Sequence, residues 1–294
     1  MAKRQGLIPQ ASKVRLLESA YYDLYKSLSA SMLSLDPGEF TPADGASLMR
    51  KAKDGIEALN FKVARWANSV VPTTYRDAQS IARARLRTIK AERDPKFKDS
   101  VHTKAQAKEI DLITSDLLSA NDSILKNISV YIYLVKQAVK KISSVQAFDL
   151  RDEKVISDLL DDAIKKGGSR GKLEQLIRKH FKRQLYERKW ISINGKEYDL
   201  IKYARMVART RLRKIQSEAV KNECLEYDND LYEVSDHGTE CEVCQQIEGN
   251  VYSWSGKTPG YEQMPIEFPP HPNCEHSLMP TSIEAIQVRN RRAA

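Results

Sequence analysis

Long apolar runs are missing from this chain. No stretch approaches the roughly 18 to 20 apolar residues that a membrane span needs, so no membrane partner is expected. The opening MAKRQGLIPQASK carries charge but no apolar signal region and no cleavage-site pattern, so no secretory leader is expected either. Glycine is scarce, at 12 in 294 residues, and aromatic residues make up only 7%. No internal repeat and no low-complexity tract is present. Nor is there a phosphate-cradling glycine loop or a Gly-x-Ser-x-Gly elbow. Lys165-Lys166-Gly167-Gly168 reads as a helix stop. Asp158, Asp161 and Asp162 share one helix face by spacing, but no His or Cys accompanies them, and they read as a solvated face. No catalytic residue is assigned, and the chain is not expected to be an enzyme. Cysteine is also rare: there are 4, three of them in one short region. A secreted disulfide scaffold would be shorter and denser in Cys, so thiols serving as metal ligands fit better.

What is present favours helices and a core. Hydrophobic residues make up 41% and charged residues 30%, a core-forming balance, and Lys, Leu, Ala, Ser and Arg are plentiful. The net charge is +9, unevenly spread. Residues 201–294 hold 11 Lys or Arg against 14 Asp or Glu, which leaves +12 on residues 1–200. A positive N-terminal two thirds suits nucleic acid as a partner. A lysine-rich solvated surface would give the same numbers.

Apolar residues recur at helical spacing from about Ser12 to Lys189. A first helix starts at a Ser cap and stops at Asp36-Pro37-Gly38. A second begins with Thr41 as cap and Pro42 at its first position, and Pro72 is expected to divide it from the helix that follows. Pro95 and a Lys-rich stretch form a connector. Leu117, Ile124, Leu125, Ile128, Ile132, Val135 and Val139 mark the stripe of a long helix over about 105–144, which Asn121 and Asp122 leave as one helix or two. Trp190, Ile191 and Ile193 before Asn194-Gly195, with Tyr198 after, predict a two-stranded ribbon. A helix over about 200–225 follows, with Ile201, Ala204, Ala208, Leu212, Ile215 and Ala219 on one face. Lys202, Arg205, Arg209 and Arg213 form a row on the other face. That row suits phosphates or an acidic partner, or is simply a solvent face.

After Tyr227 the pattern changes. DLYEVSDH and NVYSWSG read as short strands, and Gly and Pro become frequent. Such a segment buries too little apolar area to fold alone and needs a staple. Cys241-x-x-Cys244 has the knuckle spacing of a tetrahedral zinc site, and Cys274 in HPNCEH is the obvious third ligand. His271 or His276 is the fourth, with His237 a further candidate, while Cys224 reads as a buried thiol. Two thiols from a knuckle plus a Cys/His pair is the composition of a closed structural site, not a catalytic one. A Cys241–Cys244 or Cys244–Cys274 disulfide, or plain buried thiols, are the alternatives. The expected fold is mainly α: a helical N-terminal region, a long helix, and a small irregular α+β module stapled by a Cys/His zinc site. The expected division is 1–164, a basic helical region; 165–282, with the Cys/His module at 230–282; and 283–294, a basic tail.

The motifs in combination carry a resemblance. YARMVARTRLRKIQSEA, then CEVCQQIEGNVY, then FPPHPNCEHSLMP resemble the head morphogenesis family of tailed bacteriophages, the minor head proteins of the phage Mu F-like kind. Ala208-Arg209-Thr210 matches the family's helix motif, Cys241 and Cys244 its knuckle, Gly249 and Tyr252 the stretch after it, and Pro269 to Cys274 its hallmark turn. GSRGKLEQLIRKHF is similar to its lead-in helix, and the likeness spans about 165–282. The family often closes the turn with Cys-x-Cys. Here His276 takes the last place, a swap that favours it over His271 as fourth ligand. The resemblance implies a minor capsid protein located in the virion, in the head or at the portal vertex, after assembly in the host cytoplasm. It implies binding to portal protein or major capsid protein, and contact with packaged double-stranded DNA. Two other readings compete. One is a zinc-supported nuclease of the His-Asn-His kind using His237 and Asn273, whose spacing is wrong for it. The other is a DNA-binding protein using the cationic row, which lacks a helix-turn-helix signature.

Overall fold

The structure is a computed structural model and describes residues 10–35, 40–89, 100–143, 189–193 and 196–293. The Asp36-Pro37-Gly38 stop, the Pro95 connector, the Asp158–Asp162 face, the 165–168 stop, the lead-in helix and the Asn194-Gly195 turn lie outside the described residues. In chain order the elements are helices α1 (Ala11–Leu33), α2 (Pro42–Thr88) and α3 (Ser100–Ser143), strands β1 (Lys189–Ile193) and β2 (Lys196–Asp199), helix α4 (Leu200–Glu226), strand β3 (Leu231–Val234), the one-turn helix α5 (Glu242–Gln245), strands β4 (Val251–Ser253) and β5 (Leu278–Pro280), and helix α6 (Ile283–Ala293). The protein is mainly helical with a small strand module, as its sequence predicts.

Local chemistry explains most boundaries. Thr41 and Asp44 cap α2 reciprocally: the Thr41 N–H donates to Asp44 Oδ2 at 2.8 Å, and the Asp44 N–H donates to Thr41 Oγ1 at 3.2 Å. Asp199 closes the ribbon and starts α4, accepting the N–H groups of Ile201 and Lys202 on Oδ1, each at 2.9 Å. The ribbon pairs β1 and β2 antiparallel, with Ile193 opposite Lys196. Pro72 does not end its helix: α2 runs 47 residues through it. Val70, Val71, Thr74 and Tyr75, on both sides of the ring, are all buried. Burial on each side outweighs the lost N–H and holds the chain helical across the proline. Asn121 likewise does not break α3, because it is buried and bonded.

The chain divides into two compact units. One comprises Glu18–Lys62 and Leu117–Ala204. Its core holds Tyr21, Leu24 and Leu28 of α1, Leu48, Ile56 and Leu59 of α2, Leu117, Ile124 and Ile128 of α3, and Trp190 and Ile191 of the ribbon. A polar chain crosses it: the Tyr21 hydroxyl donates to Asn121 Oδ1 at 2.9 Å, and Asn121 Nδ2 donates to Asn60 Oδ1 at 2.7 Å. Each buried polar atom in that chain thus has a partner. Asn127 Nδ2 anchors the ribbon through the Trp190 carbonyl at 2.7 Å.

The other unit comprises Met1–Leu17, Val63–Asp116 and Arg205–Ala294. Its sheet has the order β4-β3-β5, all antiparallel, with Tyr232 opposite both Tyr252 and Pro280. β5 is a strand in a stretch expected to be irregular, and Pro280 is tolerated there because β5 is an edge. Residues 283–293, expected as a tail, form α6, and Ser282 Oγ accepts the Ala285 N–H at 3.2 Å as its cap. Ala82 and Leu86 of α2, Val220, Cys224 and Tyr227 of α4, and Tyr232, Val234, Ile247, Tyr252, Phe268 and Leu278 of the strand module form one core. The Cys/His module therefore does not stand alone: two long helices share its apolar interior. Cys224 is fully buried there, as expected, and burial pushes its thiol up to about 12.

Candidate metal centre

Helix α5 positions the knuckle. Cys241 is its N-cap residue, Cys244 sits in the turn, and the Gln245 N–H closes on the Cys241 carbonyl at 2.9 Å. The facing half is the HPNCEH turn, which closes through the Cys274 N–H to the His271 carbonyl at 3.2 Å. Asn273 takes φ 65°, a left-handed conformation that Asn tolerates. Its N–H donates to Thr210 Oγ1 at 3.4 Å, while the Thr210 hydroxyl donates to the Met206 carbonyl at 2.8 Å. Two of the motifs that carry the resemblance, Ala208-Arg209-Thr210 and the hallmark turn, thus touch.

The two stretches bring five donors together. His271 Nε2 lies 3.4 Å from Cys241 Sγ and 3.0 Å from Cys244 Sγ. Cys244 Sγ lies 3.9 Å from Cys274 Sγ, and Cys274 Sγ lies 3.5 Å from His276 Nδ1. Cys241, Cys244 and His271 form one group whose donor atoms are all within 4.8 Å of one another, and Cys244, Cys274 and His276 form a second. Zinc–sulfur bonds of about 2.3 Å at tetrahedral angles put two thiolates about 3.7 Å apart, with S···N slightly shorter. The separations of 3.4, 3.5 and 3.9 Å are near that size, the 3.0 Å Cys244–His271 approach is shorter, and the two groups share Cys244. All four cysteines are free thiols, so neither disulfide alternative is present.

Both histidines have their second nitrogen held, as metal-binding imidazoles usually do. His271 Nδ1 lies 2.8 Å from the Pro272 carbonyl, and His276 Nε2 lies 3.0 Å from Glu248 Oε1. Glu248 was not legible as a site residue. It accepts the His237 N–H, takes the Thr239 N–H at 3.0 Å, and so ties the loop before the knuckle to His276. Burial raises its carboxyl, but these bonds from His237, His276 and Thr239 outweigh that and hold it below the usual carboxylate range. The only early signal was its position four residues beyond Cys244. His237 falls in neither group of donors: its Nε2 lies 2.8 Å from Ser235 Oγ, and its ring meets that of His276 edge-on at 4.9 Å.

The thiols differ in environment. Backbone N–H groups of Cys244 and Val243 lower Cys241, so the half-buried member of the knuckle is the readier thiolate. Burial first, then Cys274 and Cys241, push Cys244 up to about 12. A cation at the centre of the group would reverse that repulsion, because a coordinated thiol is deprotonated outright. The donor set fits a soft divalent ion with a closed shell.

The cationic row does not stay together. Lys202 and Arg209 are exposed and Arg205 is half-buried, but Arg213 is 5% exposed and faces the interior. Spacing alone put it with the others. Phe268, Ser277 and Leu278 line a small cavity with Arg213 at the end of that stripe.

Residues 173–291 match the family model described as phage minor capsid protein 2. The match supports a phage minor head protein family for this part of the chain, and with it a capsid-related role. It covers all but the first eight residues of the expected 165–282 likeness and runs on into α6. No curated protein and no solved structure matches the chain. No described helix is long and apolar enough to cross a membrane.

Proposed function

We propose that the chain is a structural minor capsid protein of a tailed phage, recruited to the procapsid by portal or major capsid protein and carried in the virion. The family match over 173–291 is the observation that supports this reading. The test is incorporation: the tagged chain is expressed with the portal and coat proteins of one phage, particles are separated on a density gradient, and their protein content is measured. Co-sedimentation with particles is expected. A chain left wholly in the soluble fraction in the presence of intact procapsids would overturn the reading.

In this reading the Cys/His centre is a zinc staple of residues 230–282, not a reaction centre. Cys241, Cys244 and Cys274 are three ligands, and His271 is the fourth, since its Nε2 is within 3.4 Å of both knuckle thiols. His276, hydrogen-bonded to Glu248, then buttresses Cys274. The alternative ligand set exchanges the two histidines, and substituting each by Ala while measuring zinc affinity separates them. The nuclease reading loses support from the position of His237, which is engaged by Ser235 and His276. DNA contact is assigned to the exposed Lys202 and Arg209 and to the basic N-terminal two thirds.

A further inference from the structure

Within the unit that carries the strand module, a small cavity lies between α2, α4 and β5, lined by Ala78, Ile81, Arg213, Gln216, Phe268 and Ser277 among others. The space open to the centre of a water molecule is about 20 Å³, where one water needs roughly 10–15 Å³. Three of these residues are buried and polar: Arg213 is 5% exposed, Gln216 4% and Ser277 7%. Each has a side-chain atom sealed from solvent with no hydrogen-bond partner: Arg213 Nε, Gln216 Nε2 and Ser277 Oγ. Three such atoms lining one cavity are a concentration that folded proteins avoid, because each costs about 1–3 kcal/mol.

The imbalance has a sign. Arg213 Nε and Gln216 Nε2 can only donate, while Ser277 Oγ can donate or accept. The nearest acceptor of their own, Gln216 Oε1, is already taken by Arg213 Nη1 at 3.0 Å and by Gln10 Nε2 at 3.1 Å. One water can accept from Arg213 Nε and Gln216 Nε2 and donate to Ser277 Oγ, but it brings no negative charge. Charge separates the two occupants. Arg213 has no carboxylate within 4.0 Å among the described residues, and a buried guanidinium without an anionic partner is costly. Burial lowers its pKa, and Cys274 and the exposed Glu275 oppose that from a greater distance.

We propose that Arg213, Gln216 and Ser277 form a recognition site for one carboxylate group. Two carboxylate oxygens offer about four acceptor positions, enough for all three donors and for the charge. The flanks, Ile81 and Phe268, are apolar and suit the methylenes that follow a carboxylate. The group comes either from an acidic side chain of a partner chain or from a free small acid. The proposal stands apart from the capsid reading and from the metal centre, which particle content and metal content test separately.

The experiment uses the full chain and two probes, formate and N-acetylglutamate methylamide, each titrated while the broadening of the probe's own proton signals is recorded. Arg213 variants risk misfolding, so the test variants are Ser277→Ala and Gln216→Leu, each checked for an unchanged melting temperature. Binding of both probes, weakened about tenfold or more in either variant, supports a partner's side chain as the source. Formate binding alone, with the same loss, supports a free acid. No binding of either probe to the unaltered protein, or binding that neither variant weakens, overturns the proposal.

Discussion

Asp230 shows how single residues hold the strand module. It accepts the hydroxyl of Ser253, the Ser255 N–H at 2.8 Å, the Ser255 hydroxyl at 2.9 Å and the Thr258 hydroxyl at 2.6 Å. Asp230→Ala should cost about 2–3 kcal/mol in chemical denaturation, since it leaves several donors without their acceptor. Burial raises the Asp230 carboxyl, but these bonds outweigh it, and its pKa falls below the model-compound value of 3.8. The ionised form therefore contributes stability that is complete above about pH 3.8. That stability is lost as the pH falls through the lower folded value. A pH titration of melting temperature should lose a step in the Asp230→Asn variant, and an unaltered profile would sink the idea. At this scale the sequence was a partial guide. Cys241, Cys244, Cys274 and the two histidines were legible from spacing, because short spacings fix which atoms can share a centre. Glu248 and the burial of Arg213 were not, because both depend on segments brought together from far along the chain.

At the scale of elements, the helices were legible where a cap and an apolar stripe agree. Thr41 with Pro42 marked the start of α2, and all six residues assigned to the inner face of α4 are buried. The ribbon was legible from its alternation around Asn194-Gly195. Continuity through Pro72 was not, since local propensity argues for a break and only burial on both sides argues against it. β5 has three residues and ends in Pro, and its partner β3 lies more than forty residues earlier, so no local pattern announces it. Two outcomes follow. Thr41→Ala should lower stability by about 1 kcal/mol through loss of the cap. Pro72→Ala should raise it by about 1–3 kcal/mol by restoring an N–H to the helix ladder. Thermal denaturation of the two variants checks both. A loss of stability in Pro72→Ala would mean that the native packing requires the proline's local bend.

At the scale of the molecule, the purified chain should carry about one zinc, and Cys274→Ser should lose it. Elemental analysis with limited proteolysis measures both, and new cleavage confined to residues 230–282 is the expected pattern. Full unfolding on chelation would instead mean that the ion supports the helices as well. If the basic N-terminal two thirds, together with the exposed Lys202 and Arg209, binds DNA, affinity must fall steeply with salt, and replacing Lys202 and Arg209 should reduce the slope of log affinity against log salt by about 2. An affinity indifferent to salt would exclude that contact. The shared core has a further consequence, for inheritance. Ala82 and Leu86 lie far outside the segment that matches the minor capsid family, yet they line the same interior as Val220, Tyr232 and Phe268 inside it. Phages exchange genes by recombination. A crossover that imported residues 173–291 from a relative would have to import the matching face of α2 with them, or leave apolar surface uncovered on both sides of the joint.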